Sequence, residues 1–317
     1  MKILVTGGAG FIGSHLVERL LERGREVVCL DDFNDSYDPA IKRKNISSVI
    51  GNPSFTLVEG DIRNRDLLQD IGRKHQFVTI VHLAARAGVR ESLKDPLLYE
   101  EVNCLGTLNL LELARRHGIP HFVFGSSSSI YGVNTKVPFS EEDKVDQPIS
   151  PYAATKRACE LLCYTYHHLC GMNITCLRFF TVYGPRQRPE MAIHRFTRRI
   201  LRGEPVELYG DGTSRRDYTH VDDIMDGLLK AVERPFPFEI FNLGESRTVE
   251  LTRLIRIIEE AAGKRAVIKK LPAQPGDTPI TYADISRAKA MLGYRPRVVI
   301  EEGIARFVSW YRSCALT

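Results

Sequence analysis

The segment TGGAGFIG, Thr6 to Gly13, stands between an apolar run, KILVTG, and an amphipathic one, SHLVERLLERG. Gly7, Gly10 and Gly13 on a strand-to-helix turn leave open the space that side chains would fill. The amide groups that begin the helix can then meet an anion at the positive end of the helix dipole. Such a turn is a cradle for a pyrophosphate. It restricts the chain to folds in which a strand is followed at once by a helix packed on it. The alternation continues, because EVVCLDD, TLVEGD, TIVHLAA and HFVFGSSS are further short apolar runs, each ending in small or polar residues.

Strand and helix alternating in this way predict an α/β fold, a Rossmann-type doubly wound parallel sheet with helices on both faces. In such sheets ligands gather at the carboxyl ends of strands, so the run endings are candidate site residues. NITCLRFFTVYG and EIFNLGES read as late strands of the same sheet, separated by an insertion from Pro185 to His220. This predicts a cofactor-binding domain over residues 1–180 and 217–243, with a smaller, mainly C-terminal substrate-binding lobe over 181–216 and 244–317. A chain of 317 residues, 43% of them hydrophobic, is long enough to bury a substantial core in that arrangement.

The 44 basic and 39 acidic residues leave a charge of +5, and the basic ones are spread along the chain, so no nucleic-acid partner is expected. The densest basic run, IKRKN, Ile41 to Asn45, reads as a solvated loop or helix face. Seven cysteines, an odd number without a Cys-x-x-Cys pair or a signal peptide, suit the reduced thiols of a cytoplasmic protein, and no metal site is expected. No apolar run approaches the roughly 20 residues of a membrane span.

Asp31 ends the second predicted strand, 18 residues after Gly13. That is close to the spacing at which a carboxylate accepts hydrogen bonds from the adenosine ribose, and with Asp32 beside it a 2′-phosphate would be repelled, which favours NAD over NADP. Asp61 closes TLVEGD, and Leu83, Ala84 and Ala85 close TIVHLAA, where they could line the adenine and ribose.

YAATK places Tyr152 and Lys156 at i and i+4, on one helix face. Phenols are poor bases at neutral pH, but a neighbouring ammonium and an oxidised nicotinamide both favour a phenolate. Such a pair can take a proton from an alcohol as hydride leaves the same carbon. About twenty residues upstream lies SSSSIYG, Ser126 to Gly132, four hydroxyls without an acid.

TGGAGFIG, Asp31, the serine run, YAATK and RDYTHVDD (Arg216 to Asp223) together resemble the extended short-chain dehydrogenase/reductase family over essentially the whole chain. Its members act mainly on nucleotide sugars. DDFNDSYDPAIKRKN, HLAARAGVRESL, SSSSIYG and FFTVYGPRQRPEMA look most like its UDP-glucuronate 4-epimerases. The resemblance implies an NAD-dependent enzyme that oxidises C4 of UDP-glucuronate, turns the 4-keto sugar over and reduces its other face to give UDP-galacturonate. Related 4,6-dehydratases carry an Asp-Glu pair, and the decarboxylases a Glu, where this chain has Ser128 and Ser129. An epimerase needs no such acid.

By the same resemblance Ser127 is the catalytic hydroxyl beside Tyr152 and Lys156, with Ser128 next to it. Phe11, Ile12, Asn34, Ser36, Ile62 and Asn103 join the expected cofactor contacts. A 4-ketouronate is a β-keto acid prone to lose carbon dioxide, so its carboxylate must be held away from the carbonyl π system. Arg188 can form a bidentate pair with it, with Thr181 and Ser127 or Ser128 as hydroxyl donors and Met191 nearby. Arg216 matches a diphosphate-binding arginine and Tyr209 a residue flanking uracil, while Gln274 and Asp277 fall where relatives bind diphosphate and ribose. A homodimer is expected. Two other readings stay open: a 4-epimerase of neutral UDP-hexoses or UDP-N-acetylhexosamines, and a non-catalytic NAD or nucleotide-sugar sensor, in which Ser127, Tyr152 and Lys156 would have no use.

Overall fold

The computed structural model describes residues 1–272 and 278–315. The chain begins β1 (Lys2–Thr6), α1 (Phe11–Glu22), β2 (Glu26–Asp31), α2 (Pro39–Asn45), β3 (Phe55–Glu59), α3 (Arg65–Lys74) and β4 (Phe77–His82). Two short helices, α4 (Val89–Lys94) and α5 (Pro96–Tyr99), pass through a π-helical turn, Glu100–Leu105, into α6 (Gly106–Arg116). Then come β5 (His121–Ser127), a 3-10 turn (Ser128–Tyr131), α7 (Pro151–Cys170), β6 (Asn173–Phe179) and β7 (Thr181–Tyr183). α8 (Ala192–Arg202), β8 (Pro205–Tyr209), β9 (Arg215–Arg216), β10 (Tyr218–His220), α9 (Val221–Glu233) and β11 (Phe238–Leu243) follow. The chain closes with β12 (Val249–Glu250), α10 (Leu251–Ala262), β13 (Val267–Leu271), α11 (Ser286–Leu292) and α12 (Ile300–Ala315).

Two compact units result, residues 1–133, 141–178 and 227–241 in the first and 134–140, 179–226 and 242–317 in the second. The first is built on a seven-stranded sheet in the order β3-β2-β1-β4-β5-β6-β11. β1 runs parallel to β2 and β4, β2 to β3, and β4 to β5. The order reverses between β1 and β4, so the crevice beyond their carboxyl ends is the topological switch point where such sheets bind ligands. Its inner strands are apolar on both faces, since helices cover both: Leu4, Val28, Ile80, Phe122 and Ile174 are buried with Leu110 and Leu111 of α6.

In the second unit Ile193, Phe196 and Ile200 of α8 pack with Leu254, Ile257 and Ile258 of α10 and with Ile304 and Phe307 of α12. Helical spacing of three and four sets each of these apolar stripes. β8 pairs in parallel with β13, β7 with β10, and β9 antiparallel with β12.

Three sequence expectations change here. NITCLRFFTVYG is two strands, because at Phe180 the chain leaves the large sheet and its amide bonds to Leu243, after which Thr181 to Tyr183 pair with β10. Residues 217–226 fall in the second unit instead of the first, since Tyr218, Thr219 and His220 pair with Thr181, Val182 and Tyr183. Residues 134–140 also join the second unit, where the Phe139 amide bonds to the Tyr282 carbonyl at 2.6 Å.

Candidate active site

The glycine turn sits at the switch point. Gly7 has φ +69°, and a Cβ there would lie 2.7 Å from the Ala84 nitrogen, so the β1 and β4 ends approach each other only because the position is glycine. A Cβ on Gly13 would collide with the Gly7 carbonyl oxygen. Gly10 meets less inside the protein, only that same oxygen at 3.2 Å, which leaves its outer side for the close approach of a ligand. Among the described residues no side chain caps α1, and no acid stands in its first turn. Phe11 is buried against the His15 ring, and Ile12 is half-buried.

Asp31 is 5% exposed. Its Oδ2 accepts from the Ala9 amide and its Oδ1 from the Phe33 amide, both at 3.0 Å, which ties the end of β2 to the glycine turn. Lys42 Nζ lies 3.6 Å from Asp31 and 3.8 Å from Asp32. Burial pushes the Asp31 carboxyl above its ordinary pKa, and the Lys42 charge works against that rise. The IKRKN run is therefore solvated only in part, with Arg43 and Lys44 exposed and Lys42 and Asn45 buried. α2 turns Lys42 inward, and Asn45 Nδ2 donates to the Ala9 carbonyl at 3.1 Å. Asp32 accepts from the Asn34 amide and side chain, and Asn34 Oδ1 accepts from the Ser36 amide, so these residues form one folded loop after β2.

Other strand-end residues are more occupied than their sequence positions suggest. Asp61 binds Arg63, whose hydrogen bonds outweigh burial and hold the Asp61 carboxyl below its ordinary pKa. The Ile62 side chain is buried in the core, leaving only its backbone for a ligand. Leu83 and Ala84 donate their amides to Thr6, and Ala85 follows at the switch point. Asn103, in the π-helical turn, spends both amide protons and its oxygen within the protein. It clamps both backbone groups of Arg86 at 2.8 and 3.0 Å and bonds Thr155 at 3.0 Å. Asn103 thus shapes the loop after β4. His82 was not foreseen at all: its ring bridges Thr6 and Thr107 at 2.8 and 3.0 Å and is held neutral by burial and by the Lys156 charge.

The expected catalytic residues lie on β5 and α7. Ser150 caps α7 through the Ala153 amide and Pro151 follows it, which starts the helix immediately before Tyr152. Lys156 is 4% exposed and donates to the Gly125 carbonyl at 2.7 Å, with its ammonium 4.8 Å from the centre of the Phe124 ring. The Tyr152 ring meets Tyr99 edge-on at 6.2 Å, and Tyr99 is fixed in turn by its bond to the Ala87 carbonyl. Ser127 ends β5. Its Oγ accepts from the Ser129 amide and donates to Ser129 Oγ, each at 3.1 Å, so Ser129 supports Ser127 while Ser128 opens the 3-10 turn.

The remaining expected residues belong to the second unit. Thr181 opens β7, and its amide bonds to the Asp217 carbonyl. Arg188 is paired through Nε with Glu190 Oε1 at 3.0 Å, inside its own RPEMA stretch, and the Met191 amide bonds back to the Arg188 carbonyl. Tyr209 Oη donates to Glu207 at 3.2 Å. Arg216 donates to the Arg215 carbonyl at 2.9 Å. Gln274 and Asp277 lie outside the described residues.

A family model, the NAD dependent epimerase/dehydratase family, matches residues 3–244. Among curated proteins, a UDP-glucuronate 4-epimerase of Thermodesulfobacterium geofontis is 44% identical over 308 residues, covering 97% of this chain and 95% of that one. Two solved structures superpose with a TM-score of 0.91. One is the UDP-glucuronic acid 4-epimerase of Bacillus cereus in complex with UDP-glucuronic acid and NAD, 38% identical with 99% of each chain covered. The other is the UDP-glucose 4-epimerase of Thermotoga maritima with UDP-glucose, 36% identical with all of both chains covered.

Proposed function

The chain belongs to the NAD dependent epimerase/dehydratase family, and from that premise we propose that it interconverts UDP-glucuronate and UDP-galacturonate. The observation that carries this reading is the whole-length likeness to UDP-glucuronate 4-epimerases, and it is supported by Ser127 at the end of β5 and by Tyr152 and Lys156 on α7. The glycine turn, the uncapped start of α1 and the Asp31 carboxylate fit a dinucleotide. Bound there, NAD supplies reversible oxidation of an alcohol carbon.

The chain's own residues handle the proton. Tyr152 takes it from the C4 hydroxyl, with Ser127 as the bridging hydroxyl, and returns it when the other face of the ketone is reduced. Lys156 places a positive charge one helical turn from the phenol, where negative charge develops. Its bond to the Gly125 carbonyl sets the ammonium, and no acid among the described residues pairs with it. Ser128, with neither a base nor an acid at its position, leaves C5 and C6 untouched.

Arg188 is the group that would distinguish a uronate. To receive a carboxylate it exchanges Glu190 for the sugar's C6 carboxyl, with the Thr181 hydroxyl as a second donor. Arg216 and Tyr209 serve the diphosphate and uracil, and a homodimer is part of the same proposal. A 4-epimerase of neutral UDP-hexoses is the second reading, favoured by the equal structural likeness to the UDP-glucose enzyme.

Arg188→Ala separates the two. The uronate loses a charge-assisted bond of about 1.5–3 kcal/mol, and UDP-glucose loses nothing comparable. Turnover of UDP-glucuronate should therefore fall more steeply, with a decarboxylated UDP-4-ketopentose appearing by mass spectrometry. Equal losses on both sugars with no decarboxylated product would remove Arg188 from the role and with it the physical basis for a uronate.

A further inference from the structure

β5 and α7 carry the reacting groups, and behind them lies an ion pair with no contact to the reaction. Glu160 stands on α7 one turn beyond Lys156 and is 1% exposed, as is Arg178 on β6. Arg178 holds the carboxylate with two donors, Nε to Oε1 at 3.0 Å and Nη2 to Oε2 at 2.9 Å. Ser126, the residue before Ser127, donates its hydroxyl to Glu160 Oε1 at 2.7 Å. Arg178 Nη1 donates to the Tyr131 hydroxyl at 2.9 Å, and its guanidinium carbon lies 5.0 Å from the centre of that ring. Arg157 adds a bond to Glu160 Oε2 at 3.1 Å from the half-buried rim.

We propose that Glu160 and Arg178, through Ser126 and Tyr131, are positioning residues that set the Ser127 hydroxyl against the Tyr152 phenol. The inference rests on the epimerase reading for the roles of Ser127 and Tyr152. Its physical content is connectivity. The turn from Ser128 to Tyr131 begins two residues after Ser126, with Ser127 as its cap, and ends at Tyr131, so the pair grips the segment from Ser126 to Tyr131 at both ends. The same carboxylate is rigidly part of α7, four residues from Lys156 and eight from Tyr152. Lys156 fixes Gly125 to α7, and Glu160 fixes Ser126, so two successive residues of β5 are registered on the catalytic helix immediately before Ser127.

A buried pair of this kind contributes little net stability, because desolvation of both ions offsets their attraction. A bidentate guanidinium has little positional freedom, so the arrangement suits alignment better than adhesion. Displacement of a reacting group by about 1 Å can cost on the order of a hundredfold in rate.

The test uses Ser126→Ala and Tyr131→Phe, each of which removes one hydroxyl and leaves the ion pair in place. The NAD-loaded variants are assayed with whichever UDP-sugar the unaltered protein turns over fastest. A wrong sugar assignment then shows itself in the unaltered protein and leaves this test intact. The expected result is a fall in kcat of about ten- to a hundredfold with KM within about twofold, and a double variant no worse than the poorer single one, because both act through one alignment. Melting temperature should move by only a few degrees, as for one lost hydrogen bond. If both variants keep kcat within about threefold of the parent, or if kcat falls only in step with the folded fraction, the network is structural alone and the proposal is overturned.

Discussion

Replacing Lys42 by methionine removes a buried cation and leaves a buried anion. In the intact protein the Lys42 and Asp31 side chains are 6% and 4% exposed, with Nζ 3.6 Å from Oδ1. At that distance and an effective dielectric near 20 the attraction is about 4–5 kcal/mol. Desolvating the ammonium costs about as much, so the pair as a whole is close to neutral for stability. Losing one partner is different, because the remaining charge keeps its desolvation cost, and such losses run to about 3–5 kcal/mol. Asp31 retains the Ala9 and Phe33 amides, which places the expected loss at the lower end, about 3 kcal/mol. In a unit of this size that is roughly 6–12 °C in Tm.

The pH dependence follows from the direction of the Asp31 shift. Burial already raises its pKa, and without Lys42 it rises further. A carboxyl whose folded pKa exceeds its unfolded value gives stability that is present at low pH and lost as the pH climbs through the folded value. The deficit of Lys42→Met relative to the parent should therefore be largest at neutral pH and shrink as the pH falls toward about 4. Thermal unfolding by circular dichroism at several pH values measures it. A deficit below about 1 kcal/mol, or one that does not vary with pH, would refute the buried-pair reasoning.

Tyr152→Phe should lower turnover by about 10²–10⁴-fold while NAD binding is retained, as checked by progress curves and by cofactor content after gel filtration. Asp31→Ala should weaken NAD and narrow its advantage over NADP, since the proposed ribose acceptor and the repulsive charge go together. Calorimetric titration with both cofactors reads this out, and an unchanged ratio would move the discrimination to Asp32. Glu245→Gln concerns the second unit. Burial raises Glu245 to about 7, with Asp223 and Asp217 adding to the rise and Arg247 and Lys289 opposing it. Its ionisation therefore costs stability as the pH rises through about 7, so the variant should gain in Tm over the parent at pH 8 and not at pH 5.

The sheet was legible because its inner strands are buried on both faces and read as apolar runs, and because Gly7 and Gly13 answer to steric demands of the turn itself. What the sequence hid is tertiary. IKRKN has the composition of a solvated face, yet Lys42 turns inward to Asp31 and Asn45 to the Ala9 carbonyl of the glycine turn, the latter a contact between residues thirty-odd positions apart. FFTVYG shows no break in its apolar pattern at Phe180, although the chain changes sheets there. The family resemblance places Asn103 among the cofactor contacts, and only the fold reveals that its amide is consumed by Arg86 and Thr155. Glu160 has one sequence signal, its place four residues after Lys156 on the same helix face, but its partner Arg178 lies on another strand.

The most direct test of the epimerase reading is to incubate the purified protein, without added NAD, with UDP-glucuronate, UDP-glucose and UDP-N-acetylglucosamine, and to separate the products by chromatography. UDP-glucuronate should convert to UDP-galacturonate faster than either neutral sugar changes, and should do so with no net accumulation of reduced cofactor. Conversion of a neutral sugar in preference to the uronate would contradict the substrate, and no conversion of any of the three, with or without added NAD, would contradict the reaction.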